Sequence, residues 1–251
     1  MRVVVLGASS GLGRCVAMGL GAAGHDVALL ARRRDRLDRT VEEMGGRACA
    51  IECDVTDEAG CQDAVAAAAT QLDGIDALIY ATGVGTLGRL ADMDAATWTR
   101  TFATNVVGAA VATRAALPHL QASDGRAIYF SSVSASMTPA WPGLGAYISS
   151  KAALDKMIEA WRIEHPEVGF TRLIVGDCGG GEGDSAIGFT SDWDMDLAVE
   201  VGRTWYEKGY IAGALLDVDH LVAAVDGVVR LGPSAVVPTM AVLPRVPRAS
   251  V

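Results

Sequence analysis

RVVVLGASSGLGRCVAMGLGAA, residues 2–23, changes character twice within a few positions. Arg2 to Leu6 is a short β-branched run. It stops at Gly7-Ala8-Ser9-Ser10-Gly11-Leu12-Gly13, and the alanine-rich segment from Arg14 to Ala23 then reads as a helix. Strand, glycine turn and helix in that order form the setting in which a phosphate-binding loop works. Gly7 permits the tight turn, Gly11 lets backbone approach a pyrophosphate, and Gly13 lets helix pack on strand, while the helix amino end favours negative charge. Ser9, Ser10 and Leu12 fill the same turn and join the candidate site. The competing reading is an ordinary glycine-rich turn; a position directly after the first strand of the chain favours the ligand site.

Working outward, Asp26 to Ala31 is a second strand ending in Arg32-Arg33-Arg34. A site for NAD carries an acid about 20 residues after the glycines to hold the ribose 2′-hydroxyl, whereas arginine suits a 2′-phosphate. Ala31 and Arg32 take that place, so NADP is favoured over NAD, with Arg32 and Arg33 as candidate contacts. A solvated helix entrance is the other use for three arginines. Asp35 is expected to cap the helix Arg36 to Met44. Arg47 to Cys53 is a third strand ending at Asp54-Val55. There the carboxylate either accepts from an adenine amino group or caps the helix Glu58 to Leu72, for which Thr56 or Asp57 also serves. Ile75 to Tyr80 is a fourth strand, and Ala81-Thr82-Gly83-Val84-Gly85 is a second glycine turn, which adds Ala81 and Gly83 to the candidate contacts. A long helix, Ala95 to Leu120, carries Asn105 in its middle beside Gly108, Ala109 and Ala110. An asparagine inside a helix is locally unfavourable, which hints at a specific job.

The stretch SSVSASMTPAWPGLGAYISSK, residues 131–151, carries the chemistry. In Tyr147-x-x-x-Lys151 a spacing of four puts both side chains on one face of a helix, one turn apart. An ammonium beside a phenol favours the phenolate and lowers the tyrosine from its usual value near 10, which suits proton transfer. Ser131, Ser132 and Ser134 follow the apolar run Ala127 to Phe130, at the strand end where open α/β sheets place ligands. A hydroxyl there can hold a substrate oxygen. Taken alone, the pair reads equally as a half-buried tyrosine and a solvated lysine; the other motifs shift that balance. The helix continues through Leu154, Met157, Ile158 and Trp161 as an apolar stripe. Gly169 to Val175 is a sixth strand, and Gly176 to Gly183 leads to Phe189, Trp193, Trp205, Tyr206 and Tyr210. Residues 176–213 therefore read as a lid over an apolar substrate, or equally as a core patch. Asp192, Asp194 and Asp196 make no calcium loop, because Leu197 stands where glycine is needed and Arg203 where glutamate is needed. Asp219 to Arg230 is a last helix, before the strand Ala235 to Leu243.

The chain has 251 residues without linker or repeat, so one domain, 1–251, is expected. Lys and Arg number 21 against 30 Asp and Glu; the formal charge of −9 argues against nucleic acid or an anionic membrane as partner. Five cysteines fit neither a disulfide framework nor a zinc spacing, and the four histidines are scattered, so no metal site is expected. No basic leader precedes Val3 and no apolar run approaches the ~18 residues of a membrane span, so a cytoplasmic location is expected.

Together these motifs resemble the short-chain dehydrogenase/reductase family over nearly the whole chain. Gly7-x-x-x-Gly11-x-Gly13 is similar to its cofactor turn, Asp54-Val55 to its adenine contact, Asn105 to its helix asparagine, Ser132 to its substrate serine and Tyr147-x-x-x-Lys151 to its catalytic pair. The resemblance implies an α/β Rossmann-type fold, a doubly wound, seven-stranded parallel sheet with helices on both faces, assembled as a homo-oligomer, tetramer or dimer, through the long helices after the fourth and fifth strands. Together with the arginines, it implies an NADP-dependent oxidoreductase interconverting a carbonyl and a secondary alcohol on a small-molecule substrate, which the aromatic residues after the sixth strand hint is apolar. Tyr147 would protonate the oxygen, Ser132 would hydrogen-bond it, Lys151 would lower the tyrosine pKa and hold the nicotinamide ribose, and Asn105 would position a water. Three departures stand out. Tyr80-Ala81-Thr82-Gly83 replaces Asn-Asn-Ala-Gly, so the usual polar brace is missing. Ser134 sits at the usual interval before the tyrosine, although Ser132, which ends the strand directly, is favoured. Gly176-Asp177 replaces Pro-Gly. A nucleotide-sugar epimerase and a cofactor-binding sensor or scaffold without turnover are the alternatives.

Overall fold

A computed structural model describes residues 1–181, 188–211 and 213–245. Short apolar strands alternate with helices: β1 Arg2–Leu6, α1 Gly11–Ala22, β2 Asp26–Ala31, α2 Arg34–Met44, β3 Ala48–Glu52, α3 Glu58–Leu72 and β4 Ala77–Tyr80. After these come α4 Ala95–Phe102, a π-turn at Ala103–Val107, α5 Gly108–Ala122, β5 Arg126–Ser132, the single turn α6 Val133–Ser136 and α7 Gly145–Glu164. The chain then runs through β6 Gly169–Val175, α8 Met195–Glu207, α9 Val218–Val229 and β7 Thr239–Val242. All seven strands are parallel, in the order β3-β2-β1-β4-β5-β6-β7. This is the expected doubly wound sheet.

Parallel strands are covered on both faces, which is why they read as continuous apolar runs rather than alternating ones. Successive side chains enter different cores. Val4, Leu6, Leu78, Tyr80 and Tyr129 face α3, α5 and α7, while Val3, Val5, Ile79 and Ile128 face α1 and α9. Order reverses between β1 and β4, and such a switch point opens a crevice at the carboxyl ends of the strands.

Several element bounds differ from expectation. Helix α1 begins at Gly11 rather than Arg14, so its free amide groups lie in the glycine turn itself. Helix α2 begins at Arg34; Asp35 makes no cap and sits in the first turn, 3.6 Å from Arg39. The expected helix 95–120 is interrupted by the π-turn, which inserts Asn105 into the break. The last strand shrinks to four residues. Within the expected lid, 182–187 and 212 lie outside the described residues; α8 packs Val201 and Trp205 against Trp141, Leu144 and Ile148 as a third, smaller core, while Tyr206 stays exposed.

Candidate active site

A cleft of about 1210 Å³ runs along the carboxyl ends of the strands. The candidate contacts Gly7, Ser9 to Gly13, Arg32, Arg33, Asp54, Val55, Ala81, Gly83, Ser132, Tyr147 and Lys151 all line it. At one end lies the glycine turn. Gly7 has φ +88°, and a Cβ there would stand 2.8 Å from the Thr82 amide nitrogen; one on Gly13 would overlap the Gly7 carbonyl oxygen. Only hydrogen fits at either place, so the helix amino end meets open space at its most positive point. The cradle and the free amides fit the pyrophosphate of a dinucleotide.

Beyond the turn, the Arg33 guanidinium donates to the Ser9 hydroxyl at 2.8 Å and to the Ser10 hydroxyl at 2.7 Å. Arg32 lies beside Asp54. Burial pushes the Asp54 carboxyl up, but the Thr56 amide and hydroxyl, with Arg32, outweigh it and hold the group below its ordinary value. Asp54 accepts from Thr56 N at 2.9 Å and Thr56 Oγ1 at 2.7 Å, so it braces the turn, while the helix N-cap position belongs to Asp57. Arg36 and Thr82, which sequence reasoning passed over, also line the cleft. The Thr82 hydroxyl is buried without a protein partner, an acceptor and donor left open beside the cradle. Polarity in a glycine turn was its only sequence signal.

At the other end, helix α7 brings Tyr147 and Lys151 under the strand end that carries Ser132. The Ser132 hydroxyl stands near the Tyr147 phenol and lies 2.9 Å from Ser134 Oγ; Ser134 itself is buried beneath. Burial pushes the phenol up to about 12, the nearby Ser132 hydroxyl opposes this, and Asp155 adds to it. Lys151 does not lower the tyrosine as the spacing implied. Its ammonium donates to the Phe130 carbonyl at 2.6 Å and stands 5.8 Å from the phenol ring centre, so desolvation of the phenol wins. Burial pushes Lys151 itself down to about 8, against the pull of Asp155. Asp155 is one further turn along the same stripe, is 5% exposed and lies 3.4 Å from Arg172. Burial raises its carboxyl, opposed by Ser131, Arg172 and Lys151.

Asn105 is wholly buried in the π-turn. Its Oδ1 accepts from Val84 N at 2.8 Å, and its Nδ2 donates to Val84 O at 2.9 Å and to Ser150 Oγ at 2.8 Å. Ser150 in turn donates to the Tyr147 carbonyl at 2.7 Å. A Cβ on Gly83 would sit 3.5 Å from Lys151 Nζ and 3.6 Å from Asn105 Oδ1, so these three residues do converge. The missing brace after β4 has a replacement. The Tyr80 phenol donates to the Thr104 carbonyl, within the π-turn, at 2.5 Å.

Among the described residues no group of three His, Cys, Asp or Glu could hold a metal ion, and no helix is long and apolar enough to cross a membrane.

A family model described as short chain dehydrogenase matches residues 1–180. A short chain dehydrogenase of Pseudocercospora fijiensis is 36% identical over 169 residues, 64% of this chain and 53% of that protein. The 11-beta-hydroxysteroid dehydrogenase 1A of Arabidopsis thaliana is 34% identical over 167 residues, 64% of this chain and 47% of that one. The match spans about half the length of these curated relatives. Among solved structures, the alcohol dehydrogenase of the archaeon Thermococcus sibiricus, in complex with 5-hydroxy-NADP, superposes with a TM-score of 0.79 at 22% identity, covering 96% of this chain and 94% of that one.

Proposed function

The chain belongs to the short-chain dehydrogenase family, and from that premise we propose that it is an NADP-dependent oxidoreductase interconverting a carbonyl and a secondary alcohol. One observation carries the reading: a single cleft joins the glycine cradle and two arginines at one end to Ser132, Tyr147 and a buried Lys151 at the other. The turn with Ser9, Ser10 and Leu12 would hold the pyrophosphate, Arg32 and Arg33 the 2′-phosphate, Asp54 and Val55 the adenine, and Ala81, Gly83, Tyr147 and Lys151 the nicotinamide half. When bound, the nicotinamide supplies or takes the hydride.

The chain's own residues handle the proton and the charge. A phenol raised to about 12 keeps its proton at neutral pH, so Tyr147 stands ready to protonate the substrate oxygen in the reduction direction. Ser132, at the strand end in the same cleft as that phenol, donates to the same oxygen as charge builds on it, and such a preorganised donor is worth about 100-fold or more in rate. Lys151, its ammonium anchored on the Phe130 carbonyl, would hold ribose hydroxyls. Asn105 spends its amide on Val84 and Ser150, so it fixes the loop after β4 to the helix bearing the Tyr-Lys pair and keeps the two ends of the site in register. We propose further that the chain acts as one domain, with the described residues 188–211 over the substrate, in the cytoplasm and as a homo-oligomer.

The test is a titration with NADPH and separately NADH, followed by nicotinamide fluorescence, on the parent and Arg32→Ala. NADPH is expected to bind more tightly, with the preference lost in the variant. A carbonyl screen follows, in which Tyr147→Phe is expected to lose about 100-fold or more in kcat. A preference for NADH would overturn the phosphate assignment. Binding without turnover of any carbonyl or alcohol would replace the enzyme by a cofactor-binding sensor.

A further inference from the structure

Five rings extend from Tyr147 as an unbroken ladder. Phe189 meets Tyr147 edge to face at 5.0 Å, Trp193 meets Phe189 at 5.5 Å, Trp205 meets Trp193 at 6.1 Å, Trp141 meets Trp205 at 5.2 Å, and Tyr210 lies 6.3 Å from Trp141. Every indole N–H in it is already committed to the protein: Trp193 to the Gly85 carbonyl at 2.8 Å, Trp205 to the Pro142 carbonyl at 3.0 Å and Trp141 to the Thr138 hydroxyl at 2.7 Å. What these side chains have left to offer a ligand is aromatic surface. Trp141 and Trp205 are buried and fixed, whereas Phe189 is only half-buried, between exposed Gly188 and Thr190.

The seat of the Phe189 ring is specific. Its floor is Gly85, where any Cβ would overlap the ring, and its walls are Tyr147 and Trp193. Ring centres at 5.0 and 5.5 Å with interplanar angles of 68° and 66° are the edge-to-face arrangement that ring quadrupoles favour. This slot has the size and polarity of one benzene ring and opens beside the Tyr147 ring, in the cleft that Ser132 also lines. Among the described residues, the charged side chains that line the cleft include Arg100, bonded to the Thr86 hydroxyl at 2.8 Å, and Asp192, which are of opposite sign.

We propose that Phe189 occupies the seat of the substrate's own aromatic ring, and that the substrate is a neutral aryl ketone, or the corresponding aryl carbinol, which displaces Phe189 as it binds. This rests on the oxidoreductase reading. A ring joined directly to the carbonyl carbon and seated on Gly85 puts the oxygen near the Tyr147 and Ser132 hydroxyls. The ketone takes a hydride from the reduced cofactor at carbon and the Tyr147 proton at oxygen, giving the aryl carbinol and oxidised cofactor.

The experiment compares acetophenone with cyclohexyl methyl ketone, 2-octanone and pyruvate under saturating NADPH, after cofactor binding has been measured on its own. Acetophenone is expected to exceed its saturated counterpart in kcat/KM by roughly three- to tenfold, the contribution of one aromatic pair. It should also quench tryptophan fluorescence in the NADP⁺ complex. Phe189→Ala, with nothing to displace, should lower the KM for acetophenone, and Gly85→Ala should raise it. Equal or better turnover of the saturated, linear or charged ketone, or an acetophenone KM indifferent to Phe189→Ala, overturns the inference while leaving the oxidoreductase reading in place. Failure of both NADPH and NADH to bind removes that reading and this inference with it.

Discussion

Lys151 carries a charge at a place where charge is expensive. The ammonium is wholly enclosed, with the Phe130 carbonyl as its hydrogen-bonded acceptor and Asp155 nearby, and its pKa is about 8 against 10.5 for an unburied lysine. Between those values the unfolded chain binds a proton that the folded protein does not. Stability from this group is therefore present above 10.5 and is lost as pH falls through 8. The unfolding free energy of the parent minus that of Lys151→Met should rise by roughly 2 kcal/mol between pH 8 and pH 10, read from urea melts at fixed ionic strength. A flat difference would mean that the ammonium is solvated. Above pH 10 Tyr147, raised to about 12, contributes with the opposite sign in parent and variant alike: stability falls as the unfolded phenol ionises first. Asp155 tunes both groups. Its carboxylate raises the lysine and the tyrosine alike, while Arg172 and Ser131 face it from β6 and β5. Asp155→Asn should lower the Lys151 pKa further and move the alkaline limb of the kcat profile to lower pH; a limb that stays in place would show that the lysine does not control it.

The π-turn between α4 and α5 is the element that turns a packing problem into a site. One residue more than an α-turn needs is accommodated at Ala103–Val107, and Tyr80 reaches from the end of β4 to donate to the Thr104 carbonyl inside it. Burial keeps the Tyr80 phenol protonated far above its ordinary range, so the bond persists at any working pH. Tyr80→Phe keeps the ring and strands the buried carbonyl, which should cost about 1–3 kcal/mol. The expected result is a lower urea midpoint with an unchanged m value. An unchanged midpoint would mean that water replaces the phenol. The sequence showed Asn105 as an oddity within a helix and Tyr80 as a lost polar brace; both impressions concerned this one turn. Its existence could not be read from periodicity, because the partners Tyr80 and Thr104 are joined only when β4 and the helix pack together. The expected effect of Lys151 on Tyr147 failed for a related reason: spacing sets which face two residues share, but burial and the Phe130 carbonyl decide which interaction prevails.

At the level of the molecule, the order of strands, turns and helices was legible because each βα unit carries its own local signals: a β-branched run, a glycine or acid at its end, an apolar stripe after it. The aromatic ladder was not. Its rings come from the approach to α7, from α7 itself, from the segment before α8, and from α8 and beyond, so their adjacency exists only in the assembled fold. The cleft is likewise a property of the whole, since its lining runs from the turn after β1 across the switch point to the segments around α8. A ligand that spans it is bound by both halves of the sheet and must be released when either unfolds. NADPH at 100 times its Kd should therefore stabilise the entire molecule by about 2.7 kcal/mol. For a chain of this size that is a rise in Tm of roughly 5–10 °C in a single transition. NADH at the same concentration should give a smaller rise, and Arg32→Ala should bring the NADPH shift down to that of NADH, because the arginine addresses only the 2′-phosphate. A shift equal for both cofactors would take the phosphate contact away from Arg32. A second transition that ignores NADPH would show that part of the chain unfolds independently of the cleft, against one cooperative domain.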